Sequence, residues 1–279
     1  MIRKGISLCL GFVLLAFITT VAWAASVSEM ADFLLNARRQ NKPIPILSSR
    51  YPELDIETAY QVQRMYVIKR LANDNIAVFK AGLTGEESQK KFGVDFPVAG
   101  VLFISGKKMS NSTINKSEFQ MPMIETEIGF VVGKPITRPV RSASAFYENI
   151  KAVVPVIELP ELGFEDMKRL KVEDIIASNV GAAQFIVGEE KKLNGLNLNN
   201  VTVTLSLDGQ VVNRGKGEDA LGDQVNAALW LIDKMVNEAW RIEPGHILIT
   251  GVLGKMIPAE RGKYVADYGS LGKISFEIK

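Results

Sequence analysis

The chain has 279 residues, of which 47% are hydrophobic and 23% charged, and its formal net charge is +2. That composition supplies a sizeable apolar core. The near-neutral charge, with no basic stripe, acidic tail, repeat or low-complexity tract, speaks against a nucleic-acid or membrane-surface partner.

The first residues stand apart. Arg3 and Lys4 form a basic head, no charged residue occurs from Gly5 to Ser28, and Ala22-Trp23-Ala24 is a small-x-small cleavage pattern. Residues 1–24 read as a secretory signal peptide cut near Ala24. An uncleaved anchor is the alternative, since the apolar stretch is long enough to span a membrane. Either way the folded part is expected outside the cytoplasm, periplasmic or secreted, with no membrane association once the leader is removed. The single cysteine, Cys9, falls in the leader, so the mature chain is expected to have no disulfide and no thiol chemistry.

Residues 25–75 read as a small helical segment. Ser28 caps a helix to Gln40 with Met30, Phe33, Leu34 and Ala37 on one face. A linker with Pro43, Pro45 and Pro52 follows. Asp55 then caps a second helix to about Ala72, with Ala59, Val62, Tyr66 and Lys69 at helical spacing. From residue 76 to 279 the texture becomes strand-rich. Val78–Leu83, Val98–Ile104 and Phe119–Val132 are strand-like, Ser142–Ile150 is helical, and Ala152–Leu159 reads as a buried strand. Val201–Val212 is a hairpin whose Asp208-Gly209 signals a type I′ turn. GKGEDALG (215–222) matches neither the P-loop nor the dinucleotide fingerprint and reads as a loop. Asp223–Arg241 is an amphipathic helix with Val225, Leu229, Ile232, Val236 and Trp240 on one face. Strands follow at His246–Gly251, Tyr264–Tyr268 and Lys273–Ile278. No linker divides this part, so it reads as one mixed α/β domain.

Three acidic residues sit where apolar ones are expected. Glu125 and Glu127 lie two apart in the strand MPMIETEIGF, so they share one face. Glu158 ends the apolar run AVVPVIEL. A buried carboxylate is costly unless paired or metal-bound, and three glutamates without histidine suit Mg²⁺, Mn²⁺ or Ca²⁺. Exposure of the first two on a solvent face, with Glu158 capping a turn, remains the alternative. Lys80, in VFKAGLT, either snorkels to solvent or places a cation in a cleft. ILITGVLGKMIP (247–258) breaks into a glycine-rich loop at Thr250-Gly251 that suits an anionic group, although such loops are often plain turns. His246, the only histidine, reads as a turn residue, which leaves no ordinary Ser-His-Asp or Cys-His arrangement.

In combination, KAGLTGEESQKKFGVDFPVAGVLF, MPMIETEIGFVV, VVPVIELP, LGDQVNAALWLIDKM and GHILITGVLGKMIP, in that order, resemble the 2-keto-4-pentenoate hydratase family of the fumarylacetoacetate hydrolase superfamily. The resemblance covers nearly all of the mature chain. It implies a mixed α/β fold, a β-roll with flanking helices, and a homo-oligomer. It implies that Glu125, Glu127 and Glu158 hold Mg²⁺ or Mn²⁺, which chelates the 1-carboxylate and 2-oxo oxygen of a small 2-keto acid. It implies that Lys80 is the catalytic group beside the substrate, and that Thr250, Gly251 and Asn179 bind the substrate. The implied reaction is hydration of a 2-hydroxy-2,4-dienoate to a 4-hydroxy-2-keto acid. The chain departs from the family pattern at Val98 and His246, where aspartates are usual, and at Ser178-Asn179-Val180-Gly181, where Asp-Asn-Ala-Ser is common. Decarboxylation or C–C hydrolysis on the same scaffold, or an exported metal- and keto-acid-binding protein with impaired catalysis, are the alternatives.

Overall fold

The computed structural model describes residues 27–279. The leader (1–24) and Cys9 lie outside the described residues. No described helix is long and apolar enough to cross a membrane.

The helical segment forms with two differences from its pattern. Ser28, expected as the cap, lies inside the first helix, which already includes Val27. Phe33, expected on the buried face with Met30, Leu34 and Ala37, is exposed. Helix α1 covers 27–39, α2 Leu47–Arg50 and α3 Ile56–Arg70. The Asp55 carboxylate accepts from the Thr58 N–H at 2.8 Å, satisfying one of the free donors of the first turn of α3. Ala59, Val62 and Tyr66 are buried. Lys69 instead reaches back to Asp32 at 2.6 Å, tying α3 to α1. One apolar core runs from Met30 and Leu34 of α1 through Val62 and Tyr66 to Phe79, Ile128 and Phe130 beyond it.

The rest is strand-rich. In chain order come β1 (Ile76–Gly82), α4 (Glu86–Lys91), β2 (Val98–Phe103), β3 (Lys107–Lys108), β4 (Thr113–Ile114), β5 (Met123–Val132) and α5 (Ala143–Asn149). Then follow β6 (Ile150–Leu159), α6 (Val172–Ala177), β7 (Gln184–Val187), β8 (Thr202–Leu207), β9 (Gln210–Lys216) and α7 (Gln224–Asn237). The last strands are β10 (Ile247–Ile249), β11 (Ile257–Pro258), β12 (Gly262–Asp267) and β13 (Lys273–Ile278). An eight-stranded sheet has the order β2-β1-β10-β5-β6-β7-β3, with β11 also paired to β5. A five-stranded sheet has the order β4-β13-β12-β8-β9. The β1–β10 pair is parallel and its flanking pairs antiparallel, so the class is mixed α/β, as expected.

Side-chain alternation gives the large sheet two different faces. Phe79, Leu248, Ile128, Phe130, Val153 and Ile157 belong to the main core with the helices. The opposite, inner face carries a second apolar cluster, including Val78, Ile247, Val131, Val154 and Val156. Along β5 that inner face changes from Val131 through Gly129 to Glu127 and Glu125. Gly129 matters here: a Cβ on it would lie 2.7 Å from Ile247 Cγ2 and 3.0 Å from Val156 Cγ2. Those branched side chains fill the space over the glycine, so the sheet closes tightly below the acidic end. The five-stranded sheet lies against the same region, and the Tyr268 hydroxyl that follows β12 donates to the Val156 carbonyl at 2.5 Å.

Several elements differ from expectation. The strand expected from Phe119 begins at Met123, because the Asn115 side chain caps a short 3₁₀ turn at Lys116–Glu118. The hairpin turn at Asp208 (φ 48°) and Gly209 (φ 83°) forms as read, and β9 runs on to Lys216. Helix α7 starts after Asp223, whose side chain accepts from Asn226 N, but its buried face is rotated from the expected one. Ala227, Ala228, Leu231, Ile232 and Met235 face the core, while Val225, Leu229, Val236 and Trp240 are only partly buried. The small alanines allow a close approach that larger side chains prevent. Short elements β3, β4, β7, α4 and α6 left no clear periodicity in the sequence, being too brief for one to develop.

Candidate metal and keto-acid site

The ladder between β5 and β6 sets Glu125 directly opposite Glu158 and Glu127 opposite Val156. Glu127 stands on the same face as Glu125, two residues along, so three carboxylates converge. Their ligand oxygens lie within 4.8 Å of one another. Glu127 and Glu158 are fully buried and Glu125 is partly exposed, which rules out the solvent-face alternative for the trio. Among the described residues, Glu127 Oε1 and Glu158 Oε2 find no hydrogen-bond partner.

Lys80 comes from β1. It is buried, with its ammonium against Glu158 Oε1 and 3.0 Å from the Val180 carbonyl. It does not snorkel. Among the described residues it is the one cationic side chain in a salt bridge with these glutamates. Burial works against its charge, but Glu158 and then Glu125 and Glu127 outweigh this and hold the ammonium above its usual range. The acids are strained in the opposite sense. Burial first, then the charge of Glu158, push Glu125 up to about 7 against the opposing pull of Lys80. Burial, Glu158 and Glu125 push Glu127 well above the carboxylate range. Three carboxylates share one ammonium, so the cluster lacks positive charge. Two unpartnered buried oxygens and an all-carboxylate donor set fit one hard divalent cation.

The glycine-rich loop is where expected but is already committed within the fold. The Gly251 N–H donates to Glu127 Oε2 at 2.7 Å. Thr250 is buried, with Oγ1 2.6 Å from Gln224 Oε1 and 3.2 Å from the Ile128 carbonyl. Gln224, at the start of α7, is held in turn by donating to the Gly217 carbonyl at 2.6 Å. The loop's far side is clamped as well. Asn213 donates to the Lys255 carbonyl at 3.0 Å, and Asp219 accepts from the Gly254 N–H at 2.8 Å. Thr250 and Gly251 therefore shape the site, and the Gly251 amide orients Glu127. The GKGEDALG stretch contributes this support and no phosphate cradle.

Asn179 is also near, but its side chain faces β2. Its amide donates to the Val101 carbonyl at 2.8 Å and its Oδ1 accepts from the Val101 N–H at 2.9 Å. Both side-chain groups bond to Val101 there, so Asn179 ties the loop to β2. Asn179, Val180 and Gly181 have φ values of 61°, 54° and 62°. A β-branched residue such as Val180 is rarely left-handed. The strained turn is what aims the Val180 carbonyl at Lys80, and the sequence offered only Asn and Gly as hints of it. Asn179→Ala should cost about 3 kcal/mol, because it leaves the buried Val101 N–H and C=O unpaired. Urea denaturation of the two proteins checks this.

His246 is a turn residue, as expected: its Nδ1 accepts from the Glu243 N–H at 2.9 Å, and its ring meets Phe79 edge-on. Val98 is buried and pairs with Gly82 at the end of β1. A residue missed from the sequence is Thr84, just past β1. It is buried, its hydroxyl is unpartnered, and it packs against Gly251.

No family model matches the chain. A curated 2-keto-4-pentenoate hydratase of Burkholderia vietnamiensis is 30% identical over 252 residues, covering 89% of this chain and 96% of that protein. The chain belongs to the 2-keto-4-pentenoate hydratase family. It is thus an enzyme of the hydro-lyase type. The solved 4-oxalocrotonate decarboxylase of Pseudomonas putida G7, complexed with magnesium and adipate, superposes with a TM-score of 0.86 at 24% identity, covering 92% of this chain and 98% of that one. A fumarylpyruvate hydrolase of Pseudomonas aeruginosa, in complex with Mn²⁺ and pyruvate, gives 0.56 at 13% identity, over 73% and 89% of the two chains. These two likenesses speak for the fold alone, and the hydratase relatives speak for the activity class.

Proposed function

We propose that this hydratase-family chain binds one divalent cation, Mg²⁺ or Mn²⁺, through Glu125, Glu127 and Glu158 and hydrates a small 2-hydroxy-2,4-dienoate to a 4-hydroxy-2-keto acid. The carrying observation is the convergence of three carboxylates around a single ammonium, with two buried oxygens unpartnered. A cation held there supplies Lewis-acid polarisation of a chelating 2-oxo acid. The chain's own groups do the rest. Glu127 is fixed by the Gly251 N–H, so one of its oxygens is already oriented. Lys80, desolvated and fixed by Glu158 and Val180, lies beside the cluster as the group that balances developing negative charge and exchanges a proton with substrate carbon. Apolar Val154, Val156 and Ile249 close the base of the site and keep bulk water from it. The leader composition makes an exported enzyme part of the same reading, and the family resemblance makes it a homo-oligomer.

Val98 favours a second reading. With a buried valine where the family usually has an aspartate, no acid–base group is offered at that position. Decarboxylation of an oxo-dicarboxylate needs no base, since the electron pair left by CO₂ departure is absorbed by the polarised oxo group. The test is direct. With Mg²⁺ and 2-hydroxypenta-2,4-dienoate, hydration should consume the dienol absorbance faster than buffer alone and yield 4-hydroxy-2-oxopentanoate. An inert dienol, with CO₂ released from 2-oxohex-3-enedioate, would replace hydration by the second reading.

A further inference from the structure

We infer that the Thr84 hydroxyl is the donor that meets a carboxylate oxygen of the bound 2-oxo acid, an inference that rests on the reading above. The argument begins with donors that are already used. In the glycine-rich loop, the Gly251 N–H is taken by Glu127 Oε2 at 2.7 Å. The Thr250 hydroxyl, which carries one hydrogen, lies 2.6 Å from Gln224 Oε1 and 3.2 Å from the Ile128 carbonyl. Neither is left for an incoming anion.

Thr84 stands at the same place with its hydroxyl unspent. β1 and β10 run parallel with Lys80 opposite Ile249, a register that brings Gly82 level with Gly251. The left-handed Leu83 (φ 52°) that follows turns the chain so that Thr84 packs on Gly251. A Cβ on Gly251 would lie 2.2 Å from Thr84 Oγ1 and 2.5 Å from its Cγ2. Thr84 therefore occupies the space a side chain at 251 would need, against the residue whose amide fixes Glu127. It is 4% exposed, and Oγ1 has no hydrogen-bond partner among the described residues. A buried hydroxyl without a partner costs about 1–3 kcal/mol, and valine, of nearly the same shape, would avoid that cost. Thr84 is held in position by its own backbone, whose carbonyl accepts from Leu221 N at 3.3 Å. Its hydroxyl thus lies, on a fixed main chain, against the residue whose amide holds Glu127, which suits an anionic oxygen delivered by a ligand and not by the fold.

The experiment uses oxalate, a planar dianion that presents two adjacent carboxyl oxygens, binding to the Mn²⁺-loaded full protein in a calorimeter. Thr84→Val should weaken oxalate by about tenfold to a hundredfold, the range for a lost hydrogen bond to a charged group. Mn²⁺ affinity should stay within about twofold, and the melting temperature of the metal-free variant should match or exceed that of the parent. Thr84→Ser, which keeps the donor, should bind oxalate nearly as the parent does. Thr84→Ala, which needs no repacking, should show the same loss as valine and serves if the valine variant folds poorly. Oxalate affinity unchanged in both valine and alanine variants would overturn the inference. So would a parallel fall in Mn²⁺ affinity, since the hydroxyl would then be serving Glu127. If the unmodified protein takes up no Mn²⁺ at all, the metal reading itself falls, and this inference falls with it.

Discussion

Glu127→Gln should leave the protein folded and reduce its affinity for Mg²⁺ or Mn²⁺ by about two orders of magnitude or more. Changes to groups that merely orient metal ligands already cost about 10–100-fold, and here a ligand itself is neutralised. Shape is conserved, and the Gly251 N–H that donates to Oε2 at 2.7 Å can still find the amide oxygen. The stability effect should have the opposite sign in the two states. In chelator, the substitution removes one of three crowded carboxylates, and burial together with Glu158 and Glu125 raises the proton affinity of Glu127 itself, so the melting temperature should hold or rise. At a cation concentration that saturates the unmodified protein but lies below the variant's Kd, the unmodified protein gains stability by mass action and the variant gains little. Calorimetric metal titration with paired thermal scans checks both arms. An unchanged affinity would remove Glu127 from the ligand set.

Lys80→Met should have the second large effect, and on two observables. Its ammonium is buried against Glu158 Oε1 and the Val180 carbonyl. Removing one partner of a buried pair leaves the other uncompensated, at a cost of about 3–5 kcal/mol. Metal-free protein should lose stability on that scale, and added divalent cation should restore part of it by supplying the missing positive charge. Activity should not return with it. At saturating cation, kcat should fall by about 10²–10⁴-fold, the usual contribution of a positioned proton-transfer group. Lys80→Arg keeps a charge but not the compact ammonium geometry, and separates the two effects. A kcat within a few-fold of the parent in Lys80→Met would make the lysine a structural counter-ion only.

The acidic site was legible in the sequence for a simple reason. Carboxylates and a lysine inside apolar strands violate the pattern that folding prefers, so they stand out one residue at a time. Strand alternation put Glu125 and Glu127 on one face, and that face is the one observed. What alternation could not show was the cross-strand register that brings Glu158 opposite Glu125, or that Lys80 would meet Glu158 from β1. Both depend on pairing between distant segments. The same limit hid the roles of Thr250 and Asn179, whose partners Gln224 and Val101 are 26 and 78 residues away in sequence. Thr84 escaped notice because an unpartnered hydroxyl is a property of its surroundings and not of its spacing. The face of α7 was misread because helical periodicity weights large apolar side chains, whereas Ala227 and Ala228 are what let the helix approach the sheet. The short β7 and α6 were invisible to periodicity, yet they frame the strained Asn179–Gly181 turn.

The central claim is that Glu125, Glu127 and Glu158 grip a single divalent ion. A crystal structure of the protein with Mn²⁺, with anomalous data at the manganese edge, tests it most directly. One strong anomalous peak within coordination distance of an oxygen from each of the three glutamates is the expected result. A cluster free of anomalous density in crystals that hold Mn²⁺ elsewhere, or a peak ligated by other side chains, would contradict it.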